Sequence, residues 1–120
     1  MKNALFLLCT VLLPLLCSCT PIPMECLIDV RTAAEFQEGS LSGAVNIPLD
    51  TVDSSFAQMI PEKDSRLYLY CRSGRRSAMA AGKLKKLGYT CVYDLGGMQE
   101  AGKKLGLPVI KPKDGVRNID

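Results

Sequence analysis

Apolar and polar positions change period several times along the 120 residues, and each change marks an element. Cys26 to Val30 is a continuous apolar run with one acid near its end, the pattern of a strand buried on both faces. Thr32-Ala33-Ala34-Glu35 has the form of a capping box and predicts a short helix that stops at Gly39. Gly43 to Ile47 reads as a second strand, closed by Pro48. Asp50 or Thr51 then caps a helix that carries Val52, Phe56, Met59 and Ile60 on one face and ends before Pro61. Asp64-Ser65 turns into a strand over Arg66–Tyr70. A helix over Ser77–Leu87 follows, with Met79, Ala80, Leu84 and Leu87 inward and Gly88 as its C-cap. Thr90 to Leu95 is a further strand leading to Gly96-Gly97, and the residues after Gly106 finish extended over the sheet.

Strands alternating with helices in this way predict an α/β fold: an open parallel sheet of about four strands with helices on both faces. In such sheets, sites form beyond the carboxyl ends of the strands. Asp29, Cys71 and Gly96 all fall at or just past such ends, so the topology can bring them to one crevice.

The first 18 residues change the picture of where the protein works. Lys2 followed by the apolar stretch Ala4–Leu16, broken only by Thr10 and Pro14, has the form of an export signal and is too short to span a bilayer. Leu16-Cys17-Ser18-Cys19 resembles the lipobox of bacterial lipoproteins. Cleavage before Cys19, with Cys19 acylated, would give an envelope lipoprotein facing the periplasm or the exterior. The alternative is an ordinary cleaved signal and a soluble periplasmic product. Residues 19–25 then form a tether, 26–112 one domain and 113–120 a tail.

Losing Lys2 lowers the net charge from +3 by one, so the domain is only mildly basic and offers no case for nucleic acid. Cys9, Cys17 and Cys19 belong to the signal and its cleavage site, leaving Cys26, Cys71 and Cys91 in the domain. An odd number without CxxC spacing argues against a disulfide framework and against a zinc site. Cys26 and Cys91 lie in apolar runs and read as buried small hydrophobes.

Cys71-Arg72-Ser73-Gly74-Arg75-Arg76-Ser77 carries the chemistry. The cysteine ends an apolar β-type run, and a short loop with three arginines leads from it into the helix. Cationic side chains, curling backbone N–H groups and a helix N-terminus each favour a thiolate. The chain has no histidine, so neither a Cys–His pair nor a Ser–His–Asp triad can activate a nucleophile. The loop's own electrostatics must do so, with the arginines supplying positive charge, Gly74 the tight bend, and Ser73 and Ser77 hydrogen bonds. Ser77 doubles as a candidate helix N-cap.

Three motifs in register resemble the rhodanese family of sulfurtransferases. Ile28-Asp29-Val30-Arg31 with Glu35-Phe36, Gly39, Gly43-Ala44 and Asn46-Ile47-Pro48 is similar to its N-terminal signature. Cys71 to Ala78 is similar to its active-site loop, and Gly96-Gly97-Met98 to the turn after its last strand. Ser40 and Ala101 depart from the histidine and tryptophan of many members, and the strand and helix that usually precede the Asp-Val-Arg motif are missing. In this the chain resembles the small exported phage-shock-type members.

The resemblance implies a thiosulfate sulfurtransferase. Its Cys71 takes the outer sulfur of a small anionic donor as a persulfide and passes it to cyanide in an assay or to thiols in the cell. It implies no metal and no organic cofactor. It makes Cys71 the catalytic residue, Arg72 to Ser77 the substrate-binding loop, and Asp29 and Arg31 an ion pair or network supporting that loop. Two alternatives differ in class. One is a persulfide carrier or binding module without turnover. The other is a cysteine phosphatase or arsenate reductase, whose sites place five residues between cysteine and arginine, whereas here Arg76 comes one place too early.

Overall fold

The computed structural model describes residues 23–111. The signal segment, Cys19, most of the tether and the tail over 113–120 lie outside the described residues. Four parallel strands form the main sheet: β1 (Glu25–Asp29), β3 (Val45–Asn46), β4 (Arg66–Cys71) and β5 (Cys91–Gly97), in the order β3-β1-β4-β5. A second, two-stranded antiparallel pair joins β2 (Ser40–Leu41) to β6 (Val109–Ile110). The helices are α1 (Ala33–Glu38), α2 (Val52–Met59), entered through a 3-10 turn at Leu49–Thr51, α3 (Arg75–Lys86) and α4 (Met98–Leu105).

Alternation along β4 divides the interior into two layers. Leu67, Leu69 and Cys71 point to one face, where they pack with Ile28, Val30, Phe56, Ala80 and Leu84 beneath α2 and α3. Tyr70 points to the other, where it meets Leu41 and Ala101 under α4. Parallel strands covered on both faces are the architecture that the apolar runs imply. Phe56 and Tyr89 lock the first layer with an edge-to-face contact at 5.4 Å.

Several local expectations give way to tertiary packing. Met79, Leu87 and Met59 do not face the core; they are 51%, 38% and 39% exposed. The inward stripe of α3 is Ser77, Ala80, Ala81 and Leu84, because a helix seated close to two strands needs small side chains at the contact. That helix starts two residues before Ser77, with Gly74 as its N-cap, and Leu87 is its C-cap, with Gly88 following at φ +96°. Cys26 and Cys91 are half-buried rather than fully enclosed. The second strand shrinks to Val45–Asn46. Beyond Gly97 the chain forms α4, and the segment expected to lie over the sheet instead pairs with β2 along an exposed edge.

The strand order places the site. From β1 the chain moves to β3 on one side; from β4 it moves to β5 on the other. The crevice where such a sheet changes direction therefore opens between the carboxyl ends of β1 and β4, at Asp29 and Cys71.

Candidate active site

Cys71 is the last residue of β4, and its side chain is 1% exposed. A register shift between Leu69 and Cys71 leaves Cys71 opposite Gly97 of β5, so the strand end is bent toward the double-glycine turn. Gly74 sits at φ +96°, a conformation that disfavours any side chain, and this bend returns its N–H to Cys71 Sγ at 3.0 Å. Ser77, the third residue of α3 and fully buried, places its Oγ 3.6 Å from Sγ and donates to the Gly74 carbonyl at 3.0 Å. The serine thus ties sulfur, loop and helix together without capping the helix.

Burial pushes the Cys71 thiol up, but the Ser77 N–H and hydroxyl and the N–H groups of Ser73 and Gly74 pull it down further. The thiol ends below its usual range, so the folded loop favours the sulfur anion. The donors differ from those the arginine-rich sequence leads one to expect. Arg72 and Arg75 are exposed, and Arg76 is engaged elsewhere: its guanidinium makes a two-pronged bond to Glu35 at 2.7 and 3.0 Å. Backbone and hydroxyl dipoles, not a ring of guanidinium groups, dominate at the sulfur.

Glu35 has a second role that the sequence hides. It closes the capping box of α1, accepting from the Thr32 N–H at 3.0 Å, and also holds Arg76 in the first turn of α3. Arg76 and Thr32 hold its carboxyl at about 2, well below the ordinary carboxylate value. Helix α1 buries none of its side chains, so this pair is its main polar link to the loop's helix.

Asp29 and Arg31 form a buried ion pair at the carboxyl end of β1, with Arg31 Nη2 2.6 Å from Asp29 Oδ2. Arg31 also donates to the Gly39 carbonyl, and Asn46 Nδ2 donates to the carbonyls of Asp29 and Arg31 at 3.0 and 2.9 Å. Burial pulls the Arg31 guanidinium pKa down, but the Asp29 carboxylate outweighs it and raises it above its ordinary value. The Val30 N–H bonds the Tyr70 carbonyl at 3.1 Å, so this network is stitched to the residue before Cys71. Asn46 and Tyr70 had no local signal of this role; the links span 15 to 40 residues.

Gly96 and Gly97 complete the wall. A Cβ on Gly97 would stand 2.8 Å from the Arg72 carbonyl oxygen, and one on Gly74 would stand 3.3 Å from Gly96 Cα. The loop and the turn pass each other backbone to backbone, which two glycines permit. The structure therefore brings Cys71, Gly74, Ser77, Gly96 and Gly97 together around the sulfur. Asp29, Arg31 and Arg76 stand to one side in ion pairs, and Arg72, Ser73 and Arg75 are exposed, Ser73 serving the sulfur only through its backbone N–H. A largely apolar cleft of about 370 Å³, lined by Val30, Pro48, Leu49, Arg76 and Met79, adjoins the loop.

Proteins of similar sequence include sulfurtransferases. The thiosulfate sulfurtransferase PspE of Escherichia coli is 37% identical over 84 residues, 70% of this chain and 77% of that protein. A sulfurtransferase of Allochromatium vinosum is 37% identical over 72% of this chain and 79% of its own length. A solved rhodanese with anions from E. coli superposes with a TM-score of 0.66 at 35% identity, covering 73% of this chain and 99% of that one. The model of the rhodanese-like domain matches residues 17–104, and the chain belongs to the rhodanese-like family.

Proposed function

We propose that the protein is a thiosulfate sulfurtransferase that works through a persulfide on Cys71. The observation that carries this reading is the sulfur itself. It is buried at a strand end, receives the Gly74 N–H at 3.0 Å, has the Ser77 hydroxyl at 3.6 Å, and has its thiol held below the usual range. The Cys71 thiolate attacks the outer sulfur of thiosulfate. A bond forms between the two sulfurs as the donor's own S–S bond breaks, and sulfite leaves with the electron pair. A nucleophile, cyanide or a thiolate, then attacks the outer sulfur of the persulfide and yields thiocyanate or a new persulfide, returning the Cys71 thiolate.

The chain's own groups suit both steps. The N–H groups that stabilise the thiolate also face charge on the bound sulfur and need no reorganisation. Arg72 and Arg75, exposed at the mouth, offset the repulsion between an anionic donor and an anionic nucleophile. Asp29, Arg31 and Asn46 brace the neighbouring strand end. A phosphatase reading loses support from Arg76, whose guanidinium is committed to Glu35.

Intact-protein mass spectrometry after incubation with thiosulfate tests the reading. The wild-type chain should gain one sulfur atom and Cys71→Ala none, and cyanide should remove the sulfur as thiocyanate. Sulfur that loads but is never released to any acceptor would make the protein a carrier. Turnover of a phosphate ester abolished by Cys71→Ser would make it a phosphatase.

We further propose export, cleavage before Cys19 and acylation of that cysteine, anchoring the enzyme to an envelope membrane. The resemblance of Leu16-Cys17-Ser18-Cys19 to a lipobox supports this. Cells fed a labelled fatty acid should label the wild-type protein and not Cys19→Ala.

A further inference from the structure

In a parallel sheet with returning helices, strand beginnings and helix ends lie at one pole of the domain, opposite the site. Here that pole is basic. Lys85 and Lys86 lie in the last turn of α3, Lys103 and Lys104 in the last turn of α4, and Lys63 in the turn before β4. All five are exposed, and none makes an ion pair among the described residues. The ion pairs that do form take Arg31, Arg76 and Lys83 instead. With Arg66 at the start of β4, six cations face Glu25, Glu62 and Asp64, and Glu25 already accepts from the Tyr68 hydroxyl.

Apolar side chains interleave with these lysines. Leu87 follows Lys86 and Leu105 follows Lys104, each 38% exposed, and Met24 is 49% exposed. The chain also enters the domain at this pole. Met24 N donates to Ser65 Oγ at 3.2 Å, and its carbonyl receives the Arg66 N–H at 2.8 Å.

We propose that this pole is a docking surface for an anionic lipid bilayer. Its lysines meet the headgroup phosphates, and Met24, Leu87 and Leu105 reach the headgroup–acyl boundary. A nucleic acid fits less well, since the patch has one arginine among its six cations. The length of β4 separates this pole from Cys71, about 17 Å at the usual rise per residue, so a docked domain holds its sulfur loop toward water. The assignment requires neither sulfur transfer nor acylation of Cys19.

The test uses residues 19–120 with Cys19→Ser, because the apolar segment Ala4–Leu16 would enter a bilayer by itself. This part contains both cores, and it contains the stretch that matches a free-standing solved rhodanese over 99% of that chain. Sedimentation with phosphatidylcholine–phosphatidylglycerol vesicles should retain the domain, phosphatidylcholine alone should not, and added salt should weaken retention. Each lysine near the surface should contribute about fivefold, so the variant K85Q/K86Q/K103Q/K104Q should lose about 100-fold or more in partitioning. Its circular dichroism and Cys71 alkylation rate should be unchanged. Leu87→Ser with Leu105→Ser should weaken binding about tenfold at unaltered charge. Equal binding to both vesicle types, undiminished binding of the lysine variant, or equally tight retention of duplex DNA would each overturn the assignment.

Discussion

Gly97 lies so close beneath Arg72 that a Cβ on it would stand 2.8 Å from the Arg72 carbonyl oxygen. The neighbour is backbone, not a yielding side-chain end, so the sulfur loop itself would have to move. Gly97→Ala should destabilise the domain by about 1–3 kcal/mol and slow persulfide formation at least tenfold. Gly82→Ala, in α3 with nothing within 4 Å of the added carbon, should instead stabilise by about 0.5–1 kcal/mol with activity unchanged. Urea denaturation and single-turnover sulfur loading on the two variants check both.

The Ser77 hydroxyl stands 3.6 Å from Sγ and also secures the Gly74 carbonyl. Ser77→Ala should raise the Cys71 thiol pKa, because the sulfur anion loses a hydrogen-bond partner that favours it. Iodoacetamide alkylation followed against pH reads this directly: the inflection should move to higher pH. An unmoved inflection would leave the N–H groups as the sole cause. Because the folded thiol lies below its unfolded value, its ionisation favours the fold. That contribution is complete above the unfolded value and fades as pH falls through the folded one.

Glu35→Gln separates the two jobs of Glu35, since glutamine can keep the capping box while losing the charge. The carboxyl is held at about 2 against an ordinary 4.5, so its stabilisation is complete above about pH 4.5 and is lost as pH falls through 2. The variant should be less stable by roughly 1 kcal/mol at neutral pH, as a partly exposed pair warrants, with the difference disappearing near pH 2. Urea titrations across that range give the curve.

Asp29 and Arg31 are 0% and 6% exposed, so removing one partner leaves a buried charge without its counter-ion. Arg31→Met and Asp29→Asn should each cost about 3–5 kcal/mol, and the double variant less than the two together. Chemical denaturation of the double-mutant cycle measures the coupling. Independent, additive losses would show that the pair contributes nothing as a pair.

Much of the fold was legible because it is written locally. The apolar runs of β1, β4 and β5 announce buried parallel strands, and Thr32 with Glu35 announces the start of α1. Helix α4 was not legible. Met98, Ala101 and Leu105 do recur on one face, but the helix is only eight residues long, contains Gly102 and buries only Ala101, and packing against Leu41 and Tyr70 sets it in place. The exposure of Met79 and Leu87 was likewise hidden, because the inward face of α3 was chosen by how closely a helix can approach β4 and β5.

Residue order alone determined that a histidine-free chain would carry a cysteine at a strand end, followed by a glycine-bearing loop and a helix, since each of these is a matter of neighbours in sequence. Which groups stabilise that sulfur was decided by tertiary structure. Long side chains such as those of Arg72, Arg75 and Arg76 can turn to solvent or to a distant carboxylate, whereas backbone N–H groups in a tight turn cannot turn away. The Glu35–Arg76 pair, 41 residues apart, exists only once two helices meet.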